Sequence, residues 1–236
     1  MFVHQERVNA AIRLDRSSSA LLIVDLQRGS TSRDRGWISI LRAAGYATQM
    51  DAYLQRIAST VFPNVRRLQQ AFRDVGASVI FLAVGSMTED YSDITLQRRR
   101  VAEYWQSRGF DAPYARPGSR DLEIPEPIAP APSEPLLIKT TNSAFTSSGL
   151  ERVLLNRNIR ELAICGVGTN ACVALTLLDA VDRGFDCVLI EDACAGLTTE
   201  LHETGVQIVE SFCRVASTEA VVQEMAAAAG APAPVG

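Results

Sequence analysis

Several short segments of this chain are apolar at consecutive positions, and most are separated by stretches whose apolar residues recur at helical spacing. ALLIVD (20–25) and SVIFLAV (78–84) are runs of strand length with no polar face. Such runs mark strands covered on both sides. LLIK (136–139), ELAIC (161–165), DCVLIED (186–192) and RVAS (214–217) read in the same way. Residues 50–75 carry a helical pattern, with a break expected near Pro63 and a C-cap at Gly76. Residues 94–107 predict another helix. Between Gly109 and Pro135, prolines 113, 117, 125, 127, 130, 132 and 135 exclude a regular helix. Strands alternating with helices predict a doubly wound α/β domain around a mainly parallel sheet. The domain is expected over 20–225, after an N-terminal extension (1–19) and before a disordered tail (226–236).

Composition narrows the function classes. A chain of 236 residues, 47% apolar and 21% charged, suits one soluble α/β unit. The net charge of −4 argues against nucleic acid or an anionic membrane as partner. The N-terminus has no signal-peptide apolar region, so a cytoplasmic protein is expected. Five cysteines, an odd number without metal-ligand spacing, read as reduced thiols. Two histidines, His4 and His202, leave no multi-histidine metal site, and neither metal nor cofactor is expected. Of 23 basic residues, all but Lys139 are arginine. Only lysine, of the two, readily shifts its pKa and exchanges a proton, so this position points to chemistry.

In a doubly wound sheet, ligands bind beyond the carboxyl ends of the strands. Asp25 ends the first strand, Lys139 ends LLIK, and Cys172 follows ELAIC at the turn into a helix. Each residue alone has a plain reading as a cap, a surface cation or a packing thiol. Three at one edge favour a nucleophile with its acid–base partners. A rival reading rests on GVGTNACVALTLLDA (166–180), where Gly166, Gly168 and Ala171 match G-x-G-x-x-[G/A] and Glu191 or Asp192 ends the next strand. That is a dinucleotide-binding pattern, and would make the chain an oxidoreductase. It falls late in the chain and leaves Asp25, Lys139 and Cys172 without roles.

ALLIVDLQ and the block from LLIKTTNSAF through GVGTNACVALTLLDAVDRGFDCVLIEDACAG resemble the isochorismatase-like cysteine hydrolases over residues 20 to about 217. That superfamily includes N-carbamoylsarcosine amidase, biuret hydrolase, ureidoacrylate hydrolase and nicotinamidase. The resemblance implies a three-layer α/β/α sandwich around a six-stranded parallel sheet. It also implies an Asp25–Lys139–Cys172 triad, a cis peptide at Val167–Gly168, and an oxyanion hole from the Gly168 and Cys172 amides. The expected reaction is cleavage of a C–N bond in a small carbamoyl or amide compound, through a thioester. A helix N-terminus and a nearby ammonium are expected to favour the thiolate.

Departures from the family refine these expectations. Residues 26–60 hold no histidine, which argues against the zinc site of nicotinamidases. Members that hydrolyse the isochorismate vinyl ether often lack the cysteine, so Cys172 favours an amide. Gln27, Trp37, Asn142 and Thr169 are candidate substrate contacts. The long segment 29–62 is a candidate lid, with Trp37 or Tyr46 over the pocket. Arginines between 28 and 42 are candidates for a substrate carboxylate, beside the plainer reading of a solvated face. The family also implies a homo-oligomer, and a member without catalysis, serving as a binding protein, is a distant third class.

Overall fold

The computed structural model describes residues 8–229. Six strands form one parallel sheet: β1 (Ser19–Val24), β2 (Ser78–Val84), β3 (Leu136–Lys139), β4 (Glu161–Val167), β5 (Asp186–Ala195) and β6 (Arg214–Ala216). Their order is β3-β2-β1-β4-β5-β6, which confirms the doubly wound three-layer arrangement. All five pairings are parallel. Every residue of β1 is buried, as its place at the centre of the sheet requires. Burying each of its Leu, Ile and Val side chains contributes about 1.5–3 kcal/mol.

Seven main helices connect or cover the strands: α1 (Ala47–Arg56), α2 (Phe62–Asp74), α3 (Leu96–Gln106), α4 (Leu150–Asn156), α5 (Ala174–Asp182), α6 (Thr199–Val209) and α7 (Thr218–Ala229). α2 and α7 pack together, with α2 against β1 and β2 and α7 against β5; α5 and α6 pack on one another and on β5. Pro63 does not break the helical run. It sits in the first turn of α2, where the missing N–H costs nothing, and a π-turn at Ile57–Val61 joins α1 to α2. Gly76 is left-handed beyond α2, as expected of a C-cap. The expected tail begins inside α7, which runs to Ala229; residues 230–236 and residues 1–7 lie outside the description.

β1 leads outward to β2 on one side, and β4 returns to its other side. The crevice therefore opens at the carboxyl ends of β1 and β4. Among the described residues, no helix is long and apolar enough to cross a membrane.

Candidate active site

The carboxyl edge brings the three predicted side chains to one place. Asp25 follows β1 directly. Its backbone is left-handed, at φ 55°, and its N–H donates to the Leu82 carbonyl at 2.9 Å. A non-glycine residue holds that conformation only where its surroundings enforce it. Lys139 ends β3, beyond β2, and is fully buried. Strands lie about 4.8 Å apart, so its long side chain must cross the end of β2 to reach Asp25. It does so: Nζ lies 2.9 Å from Asp25 Oδ2 and donates to the Thr141 carbonyl at 3.1 Å. The pair is sealed from bulk solvent, and Asp25 is the one carboxylate that lines the cavity described next.

Cys172 lies in the first turn after β4, half-buried, on the wall of a cavity of about 590 Å³ that Asp25 also lines. The volume falls within the range of small-molecule sites. Burial, then the Asp25 charge, push the Cys172 thiol up to about 11, against the opposing pull of Lys139 and Arg98. This corrects the expected thiolate: desolvation and the neighbouring carboxylate outweigh the ammonium. At neutral pH the Cys172 side chain is therefore favoured as the neutral thiol. The other four cysteines are buried in the core.

The turn itself departs from expectation. Among the described residues no peptide is cis, so Val167–Gly168 is trans. Gly168 makes the turn through a left-handed φ of 75°, and its N–H donates to the Ala195 carbonyl at 2.9 Å. That amide is engaged at the junction with β5 and does not serve an oxyanion in this conformation. Gly166 is needed for packing rather than phosphate binding: with φ 131° inside β4, any Cβ would overlap the backbone of Val24. The glycines of the dinucleotide pattern are thus accounted for by the sheet.

The four candidate substrate contacts divide evenly. Trp37 and Asn142 line the cavity. Gln27 does not, because both ends of its amide tie β1 to β2: Nε2 donates to the Val84 carbonyl at 2.8 Å, and Oε1 accepts from the Val84 N–H at 2.5 Å. Thr169 is buried behind the turn, its hydroxyl 2.9 Å from His202 Nδ1. Arg56 Nη2 lies 3.3 Å from the opposite ring nitrogen and can only donate, so Nδ1 carries the histidine proton and Thr169 accepts it. Segment 29–62 supplies Ser30, Trp37, Ile38 and Tyr53 to the cavity wall, whereas Tyr46 is exposed and lies elsewhere. Arginines 28, 33, 35 and 42 are taken up by Glu123, Asp51 and Asp121.

The sequence reading missed Arg98, which projects from α3 to 3.7 Å from Cys172 Sγ. The available signal was three consecutive arginines (98–100) near the N-terminal end of the predicted helix 94–107, the end where cations are disfavoured.

Two predictions follow from this geometry. Iodoacetamide is expected to label Cys172 well before the four buried cysteines. Because its thiol is raised to about 11, the rate should climb about tenfold per pH unit from 6 to 9 without levelling off. Peptide mapping of a time course checks both; a plateau near pH 7 would show a preformed thiolate. Separately, no group of three or more His, Cys, Asp or Glu side chains among the described residues is placed to hold a metal ion. Activity is expected to survive overnight dialysis against a chelator, and zinc-restorable loss would contradict this.

The sequence profile described as "Isochorismatase domain" matches residues 19–220. A ureidoacrylate amidohydrolase of Variovorax paradoxus is 29% identical over 217 residues, covering 88% of this chain and 81% of that protein. Among solved structures, a cysteine hydrolase from Pseudomonas syringae superposes with a TM-score of 0.75 at 20% identity, covering 92% of this chain and 96% of that one. An N-carbamoylsarcosine amidase from Thermoplasma acidophilum gives 0.61 at 18% identity, covering 86% and 97%. With a profile match spanning nearly the whole sheet and its helices, the chain belongs to the isochorismatase family of hydrolases.

Proposed function

We propose that the chain is a cysteine-dependent amidohydrolase that cleaves a C–N bond in a small carbamoyl or amide compound. The observation that carries this reading is that Asp25, ion-paired behind the wall to the buried Lys139, lines the same cavity as the only half-exposed thiol among the described cysteines. Asp25 accepts the thiol proton as Sγ bonds to the substrate carbonyl carbon. Lys139, 2.9 Å from Asp25 Oδ2, balances the carboxylate and favours the sulfur anion as it forms. The Cys172 amide, at the helix start, faces the developing oxyanion, and such a donor contributes about 3 kcal/mol. The tetrahedral intermediate collapses, the C–N bond breaks, and Asp25 returns the proton to the departing nitrogen. Water then attacks the thioester, with Asp25 as base, releasing the acid and restoring the thiol. The ureidoacrylate amidohydrolase and N-carbamoylsarcosine amidase among the relatives act on substrates of this class.

The test is a panel of ureido, carbamoyl and primary-amide compounds followed by ammonia release, beside a titration with nicotinamide dinucleotides. Ammonia release that depends on Cys172 is expected. Saturable dinucleotide binding without hydrolysis would overturn the reading. We also propose that the protein is a homo-oligomer. Leu201, Ile208 and Phe212 are exposed at helical spacing along α6 and just beyond it, and an apolar stripe of this kind suits a second copy. Light scattering at micromolar concentration is expected to return a multiple of the 25.6 kDa chain mass; the mass of one chain would refute it.

A further inference from the structure

Arg98 is the third residue of α3. Its N–H donates to the side chain of the N-cap Thr95 at 3.3 Å, which fixes the start of the helix. No acidic residue occupies that first turn. The positive end of the helix dipole and a guanidinium stand together, an arrangement that opposes folding and favours an anion. Thr95, Gln97 and Arg98 all line the catalytic cavity, so this end of α3 borders the place where the substrate sits.

The guanidinium is only 5% exposed, yet it has no carboxylate partner among the described residues. Nη2 donates to Asn142 Oδ1 at 2.5 Å and approaches Cys172 Sγ at 3.7 Å. The plane lies over the Tyr114 ring, 5.0 Å from its centroid. Its Nε–H is buried without any hydrogen-bond partner. A buried charge left in this condition is costly. Charges around the cavity do not cancel it. Asp25 is matched by Lys139, and the Cys172 thiol is neutral when its pKa is raised to about 11. One positive charge therefore remains, aimed into a cavity whose other walls are largely apolar or aromatic, among them Trp37, Val84, Val101 and Tyr114.

We propose that Arg98 is a specificity-determining residue that binds a carboxylate on the substrate, so that the enzyme hydrolyses amido or ureido acids in preference to neutral amides. The inference rests on the reading of Cys172 as nucleophile. The guanidinium fork matches a carboxylate in two parallel hydrogen bonds, which a neutral amide cannot reproduce. Distances also bound the substrate. Reacting atoms approach to about 3–3.5 Å before attack, and the carboxylate oxygen would lie about 2.8 Å from a guanidinium nitrogen. With Nη2 and Sγ 3.7 Å apart, the carboxylate and the scissile carbonyl lie within about 10 Å of one another, on one short molecule.

The test uses matched pairs on the full chain: succinamate against succinamide, and a short ureido acid against its methyl ester. Both kcat and KM are measured for the wild-type protein, Arg98→Gln and Arg98→Lys. The wild type is expected to favour each acid by at least about 100-fold in kcat/KM. Arg98→Gln should lower kcat/KM for the acids about 100-fold, mainly through KM, and collapse the preference. Arg98→Lys should restore about tenfold of it, keeping charge without the fork. A preference unchanged by Arg98→Gln, or acids and neutral partners losing rate in equal proportion, would overturn the proposal and make Arg98 a structural or oxyanion residue. A second readout needs no turnover: the ratio of Cys172 alkylation rates by iodoacetate and iodoacetamide. It should fall at least tenfold in Arg98→Gln. If neither pair is hydrolysed but this ratio falls, the anion site stands and the amidohydrolase reading fails. If both pairs are hydrolysed and the ratio holds, the opposite is true.

Discussion

Cys172→Ser is expected to melt like the wild-type protein and to turn over at least about 10⁴ times more slowly, since loss of a nucleophile from a coupled catalytic set costs up to about 10⁶ in rate. Sulfur is the one nucleophile these surroundings can activate. A hydroxyl is far less acidic than a thiol, and the base available is a carboxylate already engaged by Lys139 at 2.9 Å. Among the described residues no imidazole can substitute for it: His202 lies behind the turn, its ring held between Thr169 and Arg56. Exchange of sulfur for oxygen at a half-buried position disturbs little packing. Ammonia release and thermal melting measured on the same preparation check both halves. A serine variant within tenfold of the native rate would return Cys172 to the packing residues.

Lys139→Met is expected to destabilise the fold by about 3–5 kcal/mol and to abolish turnover, because removing one member of a buried ion pair strands the other. Lys139 is fully buried, and its Nζ contacts Asp25 and the Thr141 carbonyl. Asp25, only 2% exposed, would be left with no cation. Lys139→Arg separates charge from shape. It keeps the cation, but the planar head group is too large for this space, and overpacking costs about 1–3 kcal/mol. Displacing Asp25 by up to an ångström would slow the reaction about 100-fold. Urea unfolding and steady-state rates on both variants test the pair. An arginine variant working at more than a tenth of the native rate would mean that this lone lysine is an accident of composition.

The buried strands were readable because their patterns are uninterrupted. SVIFLAV and LLIK coincide with β2 and β3 residue for residue. β4 and β5 run further than the patterns ELAIC and DCVLIED suggested, reaching Val167 and Ala195. The extra residues carry the turn glycines and small side chains whose strand conformation depends on neighbours in the sheet. Asp25, Lys139 and Cys172 could be placed because strand ends in a parallel sheet share an edge. The roles of Gln27 and Thr169 could not, since both lie within three residues of Asp25 or Cys172 and the outcome depends on which way the side chain turns. Gln27 turned to satisfy Val84, and Thr169 turned to His202. Arg98 was hidden for the opposite reason. It comes from a helix remote in sequence, and the run Arg98–Arg100 marks the place without saying which of the three turns inward. Only its burial without a carboxylate distinguishes it.

Gly166 sets the last consequence. The missing side chain lets β4 lie against the backbone of Val24, the residue immediately before Asp25. The separation between Asp25 and Cys172, the proposed base and nucleophile, is thus determined in the interior of the sheet, one residue before Asp25, and not by the loops above it. Loops in such a fold can be lengthened, recharged or exchanged to admit new substrates while the reacting pair keeps its spacing. The same construction removes a freedom: no substitution at Gly166 can relax that spacing without opening the central strand pair. Substrate choice and reactive geometry are inherited through different parts of the chain, and only the first is open to gradual change.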